Sequence, residues 1–177
     1  RFFLNAHTSD TEVFYKVKPH LTQAIESYKV DFMMPSDDHH FNLYLLQPGA
    51  DQLFHWGIRP LNEGSMEYAE YGIGAGPGLW NWDLPPGTAF YFNPNQMFDF
   101  DMHIENATPD SIYSCDFYVN VYTEPATTTN VYMKTAPFIN DQIVIPKDNQ
   151  SHTFTLLAQD SNMTNYWKIW KLYSHTH

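Results

Sequence analysis

The sequence contains little cysteine, few basic residues and no long apolar run. Cys115 is the one cysteine among 177 residues, so neither an intrachain disulfide nor a cysteine-rich zinc motif can form. Nine Lys and Arg stand against twenty Asp and Glu, which gives a net charge of -11. Because phosphate backbones attract basic patches, we expect no nucleic-acid partner. No apolar run approaches the ~20 residues of a membrane helix, so we also expect no membrane span.

Runs of the helix-favouring residues Ala, Leu, Glu and Lys are also missing, whereas aromatic and β-branched residues are frequent. Short strand-like segments, separated by turn residues, occur at 11–18, 28–34, 40–46 and 112–122. This pattern predicts an all-β protein built as an antiparallel sandwich. Six of the eight glycines lie in residues 62–87, which we interpret as a long irregular connection.

A linker-like segment at residues 123–130 divides the predicted sandwich from the remainder of the chain. We assign residues 1–126 to an N-terminal β-sandwich domain and residues 127–177 to the beginning of a second, incomplete one. Predicted strands in the second part lie at 131–134, 142–145, 153–157 and 166–177. The chain begins at Arg1 and ends within an aromatic-rich run, so we expect processed or truncated ends. Self-association or another chain would then cover the edge strands of the incomplete domain.

Two short histidine motifs are candidate metal ligands. His175 and His177 would project to one face of a strand and could bind one ion together. His39 and His40 would project to opposite faces, so they could share an ion only through a bulge or through different ring nitrogens. Each motif is expected about 0.4 times from composition alone, and neighbouring structural histidines are the alternative interpretation.

His103 could complete a site with three histidines. It lies on the polar face of a predicted strand together with Asp99 and Asp101, whose carboxylates could orient its ring. The alternative is an ordinary surface histidine. Sites made only of imidazole suit Cu, Zn, Ni or Fe, and the composition of the chain does not choose among these metals.

The order of these features along the chain carries a family resemblance. The pair His39-His40 enters the apolar strand 41–46, Leu84-Pro85-Pro86-Gly87 precedes the strand with His103, and an aromatic strand ends in His175-Thr176-His177. Across about residues 28–177 this order resembles the copper type II, ascorbate-dependent monooxygenases, the family of peptidylglycine α-hydroxylating monooxygenase and dopamine β-monooxygenase.

The resemblance implies two jelly-roll-type β-sandwich domains, each supplying ligands to one copper. His39, His40 and His103 would hold the electron-transfer copper, and His175 and His177 would be two ligands of the oxygen-activating copper. The activity implied is hydroxylation of a C–H bond in a small-molecule or peptide substrate, with O2 and ascorbate as the reductant. The family's third ligand at the second copper is a later methionine, and the chain ends at His177 without it. The implied location is secreted or at the cell surface.

Two other functions stay open on the sequence. A non-catalytic extracellular structural, adhesive or assembly module could use the same sandwich, given the acidic surface and the loop rich in Gly and Trp. A His-ligated zinc hydrolase ranks last, because the sequence has no HExxH motif that would supply a general base.

Overall fold

The computed structural model describes residues 1–6, 8–36, 38–126, 130–135, 143–155 and 169–171. It divides into two compact units, Arg1–Thr135 and Ala136–His177. The described strands of the first unit are β1 (Phe2–Leu4), β2 (Thr8–Val17), β3 (Ile25–Met34), β4 (His40–Leu46), β5 (Ile58–Pro60), β6 (Ala69–Ala75), β7 (Gly78–Asp83), β8 (Thr88–Phe92), β9 (Phe98–Asn106), β10 (Tyr113–Cys115), β11 (Tyr118–Pro125) and β12 (Val131–Tyr132). Short 3-10 helices lie at Ala50–Leu53, Leu61–Glu63 and Met66–Tyr68.

Two five-stranded sheets form the first unit. Sheet I has the order β5-β2-β9-β4-β6, and sheet II runs β11-β3-β8-β12 with β7 also paired to β3. The strands β1 and β10 form a separate pair. All described pairings are antiparallel except that of β12 with β8. The all-β, antiparallel sandwich predicted from the sequence is therefore confirmed.

Both sheets contribute side chains to one hydrophobic core. Its fully buried members include Val30, Phe32, Phe90 and Phe92 from sheet II and Phe41, Leu43, Leu45, Met102 and Ile104 from sheet I. Alternate residues of each strand point inward, as the period of a β-strand requires. The indole nitrogen of Trp82 in β7 donates to the carbonyl of Gly74 in β6 at 2.9 Å, which joins the two sheets directly.

The opposite face of sheet I is buried as well. The segment between β4 and β6 returns over it, so that Ser65 and Arg59 both contact Asp99 of β9. Lys16 of β2 donates to the carbonyls of Asp51 and Phe54 in the same segment. Most of strand β9 is therefore covered on both faces, and Asp99, Asp101 and His103 on its second face lie out of solvent.

The glycine-rich stretch 62–87 is not the irregular connection that we expected, because it contains β6 and β7. Two of its glycines, Gly72 and Gly74, allow close approach of side chains within sheet I. A Cβ atom on Gly74 would lie 1.9 Å from Oδ1 of Asn42, and one on Gly72 would lie 2.6 Å from a ring carbon of Tyr44. Glycine inside a strand marks this kind of contact, which a sequence pattern cannot distinguish from a loop.

The end of the first unit returns to sheet II. Strand β12 pairs with β8, and the side chains of Asn130 and Tyr132 both donate to the carboxylate of Glu26, which is fully buried. The first compact unit thus extends to Thr135, whereas the sequence interpretation ended the first domain at residue 126.

The second unit is described at residues 143–155 and 169–171, and these residues contain no helix or strand. The strands predicted at 142–145 and 153–157 are therefore not seen in the part that is described. Most of the predicted strand at 166–177 lies outside the described residues. Among all described residues, no helix is long and apolar enough to span a membrane.

Candidate metal centre

Strand pairing in sheet I brings His39, His40 and His103 together. His40 opens β4 and lies directly opposite His103 of β9. His39 precedes the strand, and its backbone N–H donates to the carbonyl of His103 at 3.1 Å. Two residues thus face one on the neighbouring strand, which is the arrangement of a β-bulge. The bulge removes the obstacle that a regular strand would present to two adjacent histidines.

The three imidazole rings form a compact cluster. Ring centroids are separated by 5.2 Å between His39 and His40, 4.7 Å between His39 and His103, and 5.1 Å between His40 and His103. The Nδ1 atoms of His39 and His103 lie 3.0 Å apart. One nitrogen from each ring lies within 4.8 Å of the other two, so the three-histidine cluster could hold a metal ion.

Burial separates the cluster from bulk water. His40 and His103 are 6% and 7% exposed, and His39 is intermediate. The alternative interpretation of His103 as a surface histidine is therefore wrong. His103 lies on the face of β9 that also carries Asp99 and Asp101, as predicted. Strands β2 and β4 flank β9, so β9 is central in sheet I, and all three side chains are buried.

Two carboxylates lie beside His40. Its Nε2 atom is 3.4 Å from Oδ2 of Asp101 and 3.7 Å from Oε1 of Glu12. The same oxygen of Asp101 accepts hydrogen bonds from the amide of Asn42 at 2.9 Å and the hydroxyl of Tyr44 at 3.3 Å. Glu12, His40 and Asp101 are a second group whose ligand atoms lie within reach of one ion, and this group shares His40 with the three-histidine cluster.

The two carboxylates and His40 shift one another's pKa. Burial by itself lowers the pKa of His40, but the carboxylates of Asp101 and Glu12 outweigh burial and raise this pKa to about 9. The His40 ring lowers the pKa of Glu12. Burial raises the pKa of Asp101, against the opposing effect of His40. The two carboxylates thus favour the protonated form of His40.

No sequence motif indicated Glu12. We expected the carboxylates of Asp99 and Asp101 to orient the ring of His103. In the structure, Asp101 faces His40, and Asp99 contacts Arg59 and Ser65 instead. Glu12 comes from β2, where it lies opposite His103. The pairing of β2 with β9 would have revealed it, but no local motif does.

Among the described residues, no further histidine belongs to this cluster. His175 and His177 lie outside the described residues. The exposed side chain of His55 pairs with Glu63 at 2.9 Å, and that of His152 pairs with Asp148 at 2.8 Å.

Comparisons of the chain with protein-family models, with curated proteins and with solved structures give no match.

Proposed function

We propose that the chain is a copper-binding protein in which His39, His40 and His103 hold an electron-transfer copper. The observation that carries this proposal is the convergence of the three rings across the pairing of β4 and β9. The order of these residues along the chain is the order that the resemblance to copper type II monooxygenases implies. In this reading the protein is the electron-transfer part of an ascorbate-dependent monooxygenase.

The donor set supports copper among the metals that imidazole binds. Three neutral imidazoles suit Cu, Zn, Ni and Fe, and affinity at a given site of this kind is highest for Cu²⁺ in the divalent series. Two of the rings are nearly buried, so few waters could complete a larger coordination shell. A bound copper would supply one-electron transfer. The residues of the chain would hold the ion, limit water access and keep the three rings in place.

Hydroxylation would need a second copper. By the same resemblance, His175 and His177 would be two of its ligands. The substrate would be a small molecule or peptide with an activated C–H bond, ascorbate would be the reductant, and the protein would work outside the cell or at its surface.

A specific observation favours a second candidate, a non-catalytic binding module. Large apolar side chains are exposed in the segment that covers sheet I. Exposed fractions are 62% for Leu53, 61% for Trp56, 56% for Ile58, 50% for Leu61 and 48% for Met66. Contiguous exposed apolar surface is typical of protein-binding sites, and these five side chains all come from residues 53–66. The metal would then have a structural role only.

Anaerobic titration with Cu(I) in competition with a chromophoric chelator tests the first proposal. Cu(I) prefers imidazole to carboxylate, so the titration reports on the three-histidine cluster. Every protein in the titration should carry His175→Ala and His177→Ala, so that this second histidine motif cannot bind Cu(I). We expect His39→Ala or His103→Ala to weaken Cu(I) binding by more than about 100-fold, since even the loss of an outer-shell partner costs 10–100-fold.

His55→Ala is the matched control, because that side chain is exposed and pairs with Glu63 outside the cluster. Equal Cu(I) affinity in all three variants would refute the assignment. Addition of ascorbate to the Cu²⁺-loaded chain then separates the two functions. Loss of the Cu²⁺ electron paramagnetic resonance signal is expected for an electron-transfer site, and its persistence would favour the binding module.

A further inference from the structure

The spacing around Nε2 of His40 fits an ion better than a direct hydrogen bond. Its distances of 3.4 Å to Asp101 and 3.7 Å to Glu12 exceed the 2.7–3.2 Å that is typical of N–H···O bonds. Two ligands of a tetrahedral ion with bonds of about 2.0–2.2 Å lie about 3.3–3.6 Å apart. The 3.4 Å distance falls in this range and the 3.7 Å distance lies just above it, and the ligand atoms of all three residues lie within 4.8 Å of one another.

The carboxylate of Asp101 is built into the sheet. Asp101 is 1% exposed, and its Oδ2 atom is fixed by Asn42 and Tyr44 on the neighbouring strand. Hydrogen bonds of this kind orient carboxylates that bind metals. Its other oxygen, Oδ1, is buried and has no hydrogen-bond partner among the described residues. A buried carboxylate oxygen without a donor is costly, and a cation would relieve that cost.

Charge around this group is unbalanced. Two carboxylates, Glu12 and Asp101, face His40. The nearest strongly basic side chains on this face of sheet I are engaged elsewhere. Arg59 contacts Asp99 and the carbonyl of Glu63, and Lys16 donates to two backbone carbonyls. These contacts direct both basic groups to other partners, and a divalent cation would supply positive charge beside Glu12 and Asp101.

We propose that Glu12, His40 and Asp101 form a second cation site beside the three-histidine cluster. Its mixed oxygen and nitrogen donors suit a divalent ion such as Zn²⁺ or Mn²⁺. His40 contributes Nε2 to this site, which leaves Nδ1 for the three-histidine cluster. Only an unprotonated nitrogen can coordinate, so with both sites occupied His40 would bridge the two ions as an imidazolate, and the protons of both ring nitrogens would pass to solvent. The site does not depend on which metal the three-histidine cluster takes.

Zn²⁺ titration of the metal-free full chain, with bound metal measured after equilibrium dialysis, tests this site. The background again carries His175→Ala and His177→Ala. We expect two Zn²⁺ per chain in the background, one after Glu12→Gln, and one after the pair His39→Ala and His103→Ala. All three substitutions together should abolish binding. Near-ultraviolet circular dichroism checks that each variant is folded, and Glu63→Gln is the control for removing a carboxylate next to a histidine.

One outcome overturns the second site. If the folded chain with His39→Ala and His103→Ala binds no Zn²⁺, the carboxylates only orient His40. Failure of the copper proposal gives a different result. The background would then bind one Zn²⁺, the loss of His39 and His103 would leave it unchanged, and Glu12→Gln would remove it.

Discussion

The Nδ1 atoms of His39 and His103 lie 3.0 Å apart, although 64 positions separate the two residues along the chain. At this distance one ring donates a hydrogen bond to the other, so only one of the two nitrogens carries the proton. A metal ion bound by both rings would take the place of that proton. The two nitrogens are thus close enough to bind one ion together.

Removal of the metal should leave the sandwich folded, because the core between the two sheets does not include the three histidines. At a free Cu(I) concentration of about 100 times its Kd, the ion adds about 2.7 kcal/mol to the free energy of unfolding. Chelation should remove this contribution while the far-ultraviolet circular dichroism spectrum stays that of β-structure. Anaerobic urea unfolding measures the difference. The variant with His39→Ala and His103→Ala should have the same free energy of unfolding with and without Cu(I). A wild-type chain that unfolds on chelation alone, without urea, would contradict the prediction.

Metal affinity should increase with pH. The carboxylates raise the pKa of His40 to about 9 despite its burial, so His40 carries a proton in the metal-free chain below that pH. Because a bound imidazole must give up its proton, the apparent Kd should fall by about tenfold per pH unit between pH 7 and 9 from this residue alone. Calorimetry in buffers of different ionisation enthalpy measures the protons released.

The variant Asp101→Asn is the control for this pH dependence. It removes one of the two charges that raise the pKa of His40. The pH range over which the apparent Kd changes should therefore move to lower pH. An affinity that stays flat between pH 7 and 9 in the wild-type chain would show that His40 is not a ligand.

The buried pair of Arg59 and Asp99 should matter strongly for stability. Both side chains are fully buried, and the guanidinium cannot lose its charge. Asp99→Asn leaves that charge without a counterion and should lower the free energy of unfolding by about 3–5 kcal/mol. Urea denaturation measures the change. Asp116→Asn, which breaks the solvent-exposed pair with Arg1, is the control and should change little. Equal stability of the two variants would refute this account.

Gly72→Ala should destabilise sheet I, because the new methyl group would lie 2.6 Å from the ring of Tyr44. Overpacking of this kind costs about 1–3 kcal/mol. Gly76→Ala is the matched control, since its Cβ would lie 3.5 Å from the nearest atom, an ordinary contact. Thermal unfolding of both variants measures how much stability each substitution costs. A Gly72→Ala protein as stable as the Gly76→Ala protein would show that Tyr44 moves aside at little cost.

The sequence predicted the fold class and most strands, because alternation of apolar and polar residues reports directly on sheet faces. It failed where tertiary contacts override that pattern. The alternation in segment 28–34 would place Tyr28 on the same face as Val30 and Phe32, which are buried, yet Tyr28 is 47% exposed. The partner strand β11 pairs with residues 29 and 27 consecutively, so Tyr28 is an extra residue in a bulge that reverses its direction.

The candidate site was predictable only in part. The histidines are visible as motifs, and their order suggested that His39, His40 and His103 belong together. Glu12 is separated from His40 by 28 positions and reaches it only because β2 and β4 both pair with β9. Likewise, nothing local marks Arg59 as a fully buried cation. Strand order and register decide these neighbours, and a single sequence does not specify them.

The two hydrogen bonds from Asn130 and Tyr132 to Glu26 have a practical consequence for expressing the first unit alone. A protein cut at residue 126 would lack both donors and the strand that pairs with β8, although the carboxylate of Glu26 would stay inside sheet II. Such a fragment would expose a new sheet edge and favour aggregation over folding. Expression should therefore extend to Thr135, whose hydroxyl also accepts a hydrogen bond from the backbone of Gly72 in sheet I.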